Sequence, residues 1–395
     1  MTKDIFIRNE REQQLVDFAK NIAKELEKTA PYYDQIGEFP FEHFKILQEA
    51  GYLKLTVPKK YGGDEISLYE MLLVQEQLAK GDASTALSVG WHLLTFINVR
   101  ESKCWPESIL AELSKKTIEE GSVLNILSSE RGKGNIARGA IPGTIARKVP
   151  GGYKINGEKA FASLAPILKQ FTIIAYLEDE DVIAEFLMTK NEQVEVINTW
   201  DSLGMRATGS HDLIFRDAFV PEKALLSRHR SNEINRFSAH GRVYSLEVPA
   251  VYLGIAGAAR DYAIEFANNT FSHSLGNRIS HAPHIQQKVG EIEVLYQTAR
   301  RILYSIAAQV EQEPHKKEAL GNEVNIAKYQ ICNYAIEIVT KAMKIVGGRS
   351  LSKSNKLERL FRDVQCGAYN PPFDDVVITQ LAQSVLFDKK EQVLQ

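Results

Sequence analysis

Tyr153-Lys154-Ile155-Asn156-Gly157-Glu158-Lys159-Ala160-Phe161-Ala162-Ser163-Leu164-Ala165-Pro166 is the stretch on which the fold turns. Apolar and polar residues alternate through Tyr153, Lys154 and Ile155, and Asn156-Gly157 then predicts a tight hairpin turn. Past the turn, Ala160 to Ser163 reads as a second strand of small residues around one aromatic ring. A ring beside a hydroxyl suits a flat heteroaromatic ligand, because the ring stacks and the hydroxyl bonds an edge atom. The same residues also suit an ordinary hairpin of a β-sandwich, and the stretch alone leaves both readings open.

Outward from it, short alternating or apolar runs recur: Val123–Leu127, Gly143–Lys148, Phe171–Tyr176, Val182–Met188, Val194–Ile197 and Leu213–Phe215. Bounded by Gly, Pro and Asn, they predict a small antiparallel barrel or sandwich. Upstream, the spacing is helical over 8–30, with Leu15, Phe18, Ile22, Ala23 and Leu26 on one stripe. A break from Pro31 to Pro40 precedes a short helix, Phe41 to Ala50, closed by Gly51. Helices follow over 68–80 and 84–98, with Asp82 or Ser84 as cap of the second. After Pro221 the helical period returns over 232–272, 284–313, 320–347 and 374–388. The fold class expected is α+β, mostly α. An N-terminal all-α domain (1–122) leads to a middle β domain (123–230) and a C-terminal four-helix bundle (231–395).

The 395 residues are 44% hydrophobic, enough for roughly two or three cored units. Basic and acidic residues nearly cancel (48 against 50, net −2), which gives no field favouring nucleic acid. The start, Met1-Thr2-Lys3-Asp4, is too polar for a signal peptide. No apolar run approaches the ~20 residues that span a bilayer, so no membrane role is expected. Cys104, Cys332 and Cys366 are few, odd in number and far apart, which fits a reducing cytoplasm and no Cys-based metal site. His281 and His284 flank Pro283, which spoils helical presentation, and no metal is expected there.

The order of units and several local motifs resemble the acyl-CoA dehydrogenase family across nearly the whole chain. The motifs are Gly51-Tyr52-Leu53 with Pro58 and Tyr61-Gly62-Gly63; Leu203-Gly204-Met205-Arg206-Ala207-Thr208-Gly209-Ser210; Phe215-Arg216-Asp217 with Val220-Pro221; Ile345-Val346-Gly347-Gly348; and Leu360-Phe361-Arg362-Asp363. The resemblance implies a flavin oxidoreductase of cytoplasmic fatty acid metabolism, with FAD as cofactor or FMN as the alternative. It places Phe161 against the isoalloxazine and Ser163 on flavin N5. The loop Ser128-Ser129-Glu130-Arg131-Gly132-Lys133-Gly134-Asn135 resembles the one lying along flavin and substrate. Ser128, Ser129, Gly134 and Asn135 are the cofactor contacts it implies, Asn135 touching substrate as well. Gly132 and Gly134 carry no side chain, so backbone N–H groups there can reach an acceptor. Gly347-Gly348 resembles the place where a neighbouring subunit meets the adenine half of FAD. That implies a homo-oligomer, a tetramer built as a dimer of dimers, with an electron-transfer flavoprotein as electron partner.

Dehydrogenating an acyl thioester removes an α-proton while hydride leaves the β-carbon, so a carboxylate must face the flavin across the substrate. The family's usual position for it, counted from Asp363, is Pro371. A minority, the isovaleryl-CoA and long-chain type, carries the base early in the first long helix after the β domain. Aligning Gly254 and Gly257 with that helix puts Glu247 on the spot. Ala250, Val251, Gly254, Gly257 and Ala258 then form a small-residue face able to admit a flat ligand, with Gly254 and Tyr369 expected at the substrate. No Lys or Arg lies on that face, so burial is expected to raise the Glu247 pKa. Departures stand beside this. Pro371 has no N–H for the thioester carbonyl, Val248 replaces an arginine after the base, and Ser272 replaces a diphosphate-contacting arginine ahead of Leu275-Gly276. These departures favour an alternative on the same fold, a two-component monooxygenase supplied with reduced FMN by a flavin reductase, in which His92 would line an oxygen-side pocket. A third reading is a non-catalytic flavin or acyl-CoA binding protein.

Overall fold

Six helices build the N-terminal part: α1 (Glu10–Glu27), α2 (Ala30–Ile36), α3 (Phe41–Glu49), α4 (Leu68–Gly81), α5 (Ala83–Ser102) and α6 (Glu107–Glu120). The structure, a computed structural model, describes residues 4–132, 140–230 and 243–387. Pro31, expected to begin a break, instead sits in the first turn of α2, where its missing N–H has no helical partner to lose. Ser67 and Glu70 cap α4 reciprocally, and the Asp82 carboxylate accepts the Thr85 N–H at the start of α5. Nearly every residue of α4 is buried, and so is most of α5, which makes these two helices the centre of the molecule rather than its surface.

The middle sheet contains β1 (Ile126–Leu127), β2 (Ile145–Val149), β3 (Gly152–Ala162), β4 (Gln170–Leu177), β5 (Val182–Thr189), β6 (Val194–Ile197), β7 (His211–Pro221) and β8 (Leu225–Arg230). Its order is β6-β7-β3-β2-β4-β5-β8, with β1 on β4. Pairing is antiparallel except where β1 and β2 run parallel to β4. The hairpin expected at Asn156-Gly157 is not there. β3 runs unbroken from Gly152 to Ala162, and Asn156-Gly157 is a bulge in its ladder with β7. Two observations explain the misreading. Gly157 takes φ +142°, and a Cβ there would lie 2.6 Å from Thr144 Cα; the Asn156 amide is held at 2.9 Å by both the carboxylate and the N–H of Asp217. The turn chemistry of Asn-Gly is spent on a bulge, and the hairpin turn falls earlier, at Gly151 (φ +81°) between β2 and β3.

Five helices follow: α7 (Glu247–Asn269), α8 (Pro283–Gln312), α9 (Gly321–Val346), α10 (Lys356–Gln365) and α11 (Asp374–Leu386). The four-helix reading missed α10, which is short and capped by Asn355, whose side chain accepts the Leu357 N–H. Asp363 of α10 accepts the Met205 N–H at 2.7 Å and ties the bundle to the loop before β7. No helix among the described residues is long and apolar enough to cross a membrane.

The small-residue face of α7 is not a ligand slot. A Cβ on Gly254 would lie 2.5 Å from the Glu76 carbonyl oxygen and 2.6 Å from Ala79 Cβ; one on Gly257 would lie 2.8 Å from Lys80 Cε. These glycines let α7 cross α4 at close range, and the expected substrate contact at Gly254 gives way to helix packing.

Candidate functional site

Glu247 is the first residue of α7 and is fully buried. Its Oε1 accepts from Gln75 Nε2 at 3.0 Å, while its Oε2 has no hydrogen-bond partner among the described residues. Gln75 lies on α4. Its Nε2 also donates to the Ala86 carbonyl of α5 at 2.9 Å, and its Oε1 accepts from the Tyr52 hydroxyl at 2.7 Å. Across from the carboxylate runs Gly90 of α5, where any Cβ would overlap Glu247 Oε1. Burial pushes the Glu247 pKa up to about 8, opposed only by the Gln75 hydrogen bond. An ionisable group kept dry, with one bare oxygen, can take a proton near neutral pH.

The second half of the site lies on the β domain. Phe161, near the end of β3, is 51% exposed and held at φ +57°, a left-handed backbone that non-glycine residues seldom adopt. Its ring meets Trp200 edge-on at 6.4 Å, and the Arg131 guanidinium sits 4.9 Å from the ring centroid. Arg131 is fixed by a two-pronged pair with Asp212, at 2.7 and 3.2 Å. Two residues on, Ser163 is buried. Its Oγ is 2.8 Å from Ser210 Oγ, which is 2.7 Å from Thr208 Oγ1, so three hydroxyls form one chain.

The loop ahead of β3 is pinned beside this ring. Ser129 accepts the Ala160 N–H at 2.9 Å, and the Ser128 and Ser129 side chains are exposed. Glu130 is clamped by Lys159 Nζ at 2.5 Å and by the Thr144 N–H at 3.0 Å. Burial raises the Glu130 pKa, but Lys159 and these hydrogen bonds outweigh it, leaving the group below its ordinary value. Gly134 and Asn135 lie outside the described residues.

Helix α5 joins the two halves. Ser88 Oγ donates to the Thr208 carbonyl at 3.2 Å, and Gly90, two residues along, backs the Glu247 carboxylate. Two helical residues are about 3 Å of rise but about 200° apart around the axis, so the hydroxyl chain and the buried acid contact opposite faces of one turn of α5.

Other sequence candidates fall elsewhere. Gly347 and Gly348 are exposed, and a Cβ on either would meet nothing among the described residues. Tyr369 is 76% exposed, while its neighbour Asn370 donates to the buried Tyr252 hydroxyl at 2.7 Å. Ser272 lies in a small surface hairpin with Asn277–Arg278, bonded to Ser274. His92 does not line an oxygen pocket. Its ring is fully buried between the Leu53 carbonyl (Nε2, 2.8 Å) and the Leu124 N–H (Nδ1, 3.0 Å), and burial drops its pKa to about 4. Cys366 donates weakly to the Arg362 carbonyl, and burial raises its pKa to about 11, as an unreactive thiol requires. No His/Cys/Asp/Glu group able to hold a metal occurs among the described residues. Sequence reasoning missed Gln75, Gly90 and Asp212, and named Arg131 only as part of the 128–135 loop. Their partners lie far away in the chain (Gln75 and Glu247 are 172 residues apart), so no local spacing carries the signal.

Models of the acyl-CoA dehydrogenase N-terminal, middle and C-terminal domains match residues 9–100, 125–218 and 247–370. YdbM of Bacillus subtilis (strain 168), itself provisionally assigned as an acyl-CoA dehydrogenase, is 40% identical over 379 residues, spanning 96% of this chain and 98% of that protein. L-evernosamine nitrososynthase of Micromonospora sp. is 25% identical over 374 residues, spanning 92% and 87%. Among solved structures, butyryl-CoA dehydrogenase of Megasphaera elsdenii superposes with a TM-score of 0.84 at 20% identity, covering 98% of this chain and 100% of that one. TdsC of Paenibacillus sp. A11-2, solved with FMN and indole, gives 0.85 at 23% identity, covering 94% and 97%.

Proposed function

The chain belongs to the acyl-CoA dehydrogenase family, and from that premise we propose that it removes hydrogen across the α,β-carbons of an acyl-CoA thioester, with Glu247 taking the α-proton. The family uses FAD. Residues suited to a flat hydrogen-bonding ring are present: the half-exposed Phe161, the Ser163 hydroxyl and the pinned carbonyl edge at Ser128-Ser129. Phe161 would stack on the ring, Ser163 would bond N5, and the exposed Gly347-Gly348 backbone would receive the adenine half from a neighbouring subunit. When bound, the flavin supplies the hydride acceptor.

The observation that carries the reading is Glu247 Oε2, a fully buried carboxylate oxygen with no partner. The α-proton passes to Glu247, and the electron pair of the broken Cα–H bond becomes the second bond between Cα and Cβ as hydride leaves Cβ. The carboxylate is ionised only above about pH 8 in the empty site, so the step accelerates as pH rises through that value.

A second reading, a monooxygenase supplied with reduced FMN, is favoured by Pro371, which offers no N–H where the thioester carbonyl needs one, and a lost oxyanion donor costs about 3–4 kcal/mol. One experiment separates the two. Purified protein is mixed anaerobically with a panel of acyl-CoA thioesters, and the visible absorbance of the oxidised flavin is followed. Bleaching by an acyl-CoA supports the dehydrogenase. No bleaching, together with oxygen uptake when a flavin reductase is supplied, supports the monooxygenase. Bound flavin with neither response supports a binding protein.

A further inference from the structure

We propose that Gln75 is a positioning residue which dictates that Oε2, and not Oε1, of Glu247 is the atom that accepts the proton. The inference rests on Glu247 being the base, as argued above. It follows from hydrogen-bond polarity. The Ala86 carbonyl can only accept, so the Gln75 atom 2.9 Å away is the amide nitrogen. Tyr52 agrees with that orientation from the other side, donating its hydroxyl proton to Gln75 Oε1 at 2.7 Å. One amide proton serves Ala86, and the other points at Glu247 Oε1, 3.0 Å away. An oxygen facing that N–H stays an acceptor whether or not Glu247 is charged. A proton arriving at the carboxylate therefore resides on Oε2, the oxygen left without a partner.

The surroundings give no competing control. The titratable groups that feel the charge of Glu247 are Tyr52, from the turn after α3, and Tyr252, on α7 itself; both are buried, and burial first, with that charge, holds each phenol neutral far above its ordinary range. Helix α5 presents Ala86 and Gly90, neither of them ionisable. Charged groups on the other helices packed against α7 are engaged elsewhere. Glu76 of α4 holds Tyr296, Tyr304 and Arg300 of α8. Lys328 of α9 pairs with Asp374, and Arg359 and Asp363 of α10 bond Asp82 and the Met205 N–H. Among the described residues, the donor on Glu247 Oε1 is thus the one specific interaction that favours its ionised form, and it also decides which oxygen is free.

The test replaces Gln75 with Met, which keeps length and removes the donor, and Tyr52 with Phe, which leaves the amide held from one side only. Glutamate side chains are labelled with carbon-13 at the carboxyl carbon, and the holoprotein is titrated by NMR; the Glu247 signal is the one absent from Glu247→Gln. The inference expects the Glu247 titration, and the acid limb of kcat with it, to move upward by about one to two pH units in Gln75→Met. A smaller upward move is expected in Tyr52→Phe, with KM little changed in either. Should Gln75→Met fail to fold, Tyr52→Phe carries the same sign. Titration and acid limb left in place in a folded Tyr52→Phe and Gln75→Met would reduce Gln75 to packing and overturn the inference, while the base assignment stood. A Glu247 signal that titrates in the ordinary carboxylate range in the wild type would overturn both together.

Discussion

A carboxylate with one oxygen bonded and the other bare is a poor structural element, because burying it ionised costs free energy that no partner returns. Its pKa near 8 fixes the sign of a stability effect. Between the ordinary glutamate value and about 8 the folded state holds a proton that the unfolded state has released, so stability falls as pH rises across that window. Glu247→Gln removes the penalty. The variant is expected to match wild type near pH 5 and to melt higher, by about a few degrees, near pH 9. Thermal melts of both proteins across that range check this; an excess of variant over wild-type melting temperature no larger at pH 9 than at pH 5 would contradict it. Activity moves the opposite way, since losing a general base costs about 10²–10⁴-fold in rate. Gly90 belongs to the same argument. Gly90→Ala places a methyl group where Glu247 Oε1 lies, and is expected to impair acyl-CoA bleaching while flavin content stays normal, as read by absorbance of the purified variant.

At the scale of elements, helices were legible where one face is apolar, as along Leu15, Phe18, Ile22 and Leu26, or where a cap is present, as at Asp82; the caps at Asn9 and Ser67 emerged only in the structure. Tertiary context reassigned the rest. Asn156-Gly157 carries the composition of a hairpin turn, yet Thr144 packs so close to Gly157 that the same dipeptide makes a bulge inside one long strand. Gly254 and Gly257 read as an open face because composition alone does not distinguish a slot from a close helix crossing. Gly254→Ala tests the crossing: its Cβ would lie 2.5 Å from the Glu76 carbonyl oxygen, and such overpacking costs about 1–3 kcal/mol. A lowered melting temperature with unchanged acyl-chain preference is expected; a changed preference at unchanged stability would return Gly254 to the substrate site. In the candidate site, motif resemblance pointed to Glu247, Phe161 and Ser163, which the structure shows as a buried acid, a half-exposed ring and a buried hydroxyl. Gln75, Gly90 and the Arg131–Asp212 pair were not legible, because they meet the site only after chain segments far apart have packed.

For the whole molecule, the candidate groups come from several units: α4, α5 and α7 enclose the acid, and the β domain carries the exposed ring and the chain of hydroxyls. Buried charge ties the units together: Asp363 reaches the loop before β7, and Arg359 reaches Asp82. Gly347 and Gly348 stand apart from this, exposed and with open space among the described residues where a side chain would project. If a neighbouring copy and its cofactor approach there, Gly348→Leu is expected to leave the monomer's fold intact while lowering association and flavin content. Sedimentation velocity and the flavin-to-protein absorbance ratio measure both, and a variant with unchanged assembly and full flavin would place that contact elsewhere. The central claim, that Glu247 exchanges a proton with the α-carbon of an acyl thioester, is tested most directly by proton NMR of a bleaching acyl-CoA in heavy water without an electron acceptor. The account predicts loss of the α-proton signal in the wild type, faster as pH rises through about 8, and none above background in Glu247→Gln. Equal exchange by both proteins would contradict it.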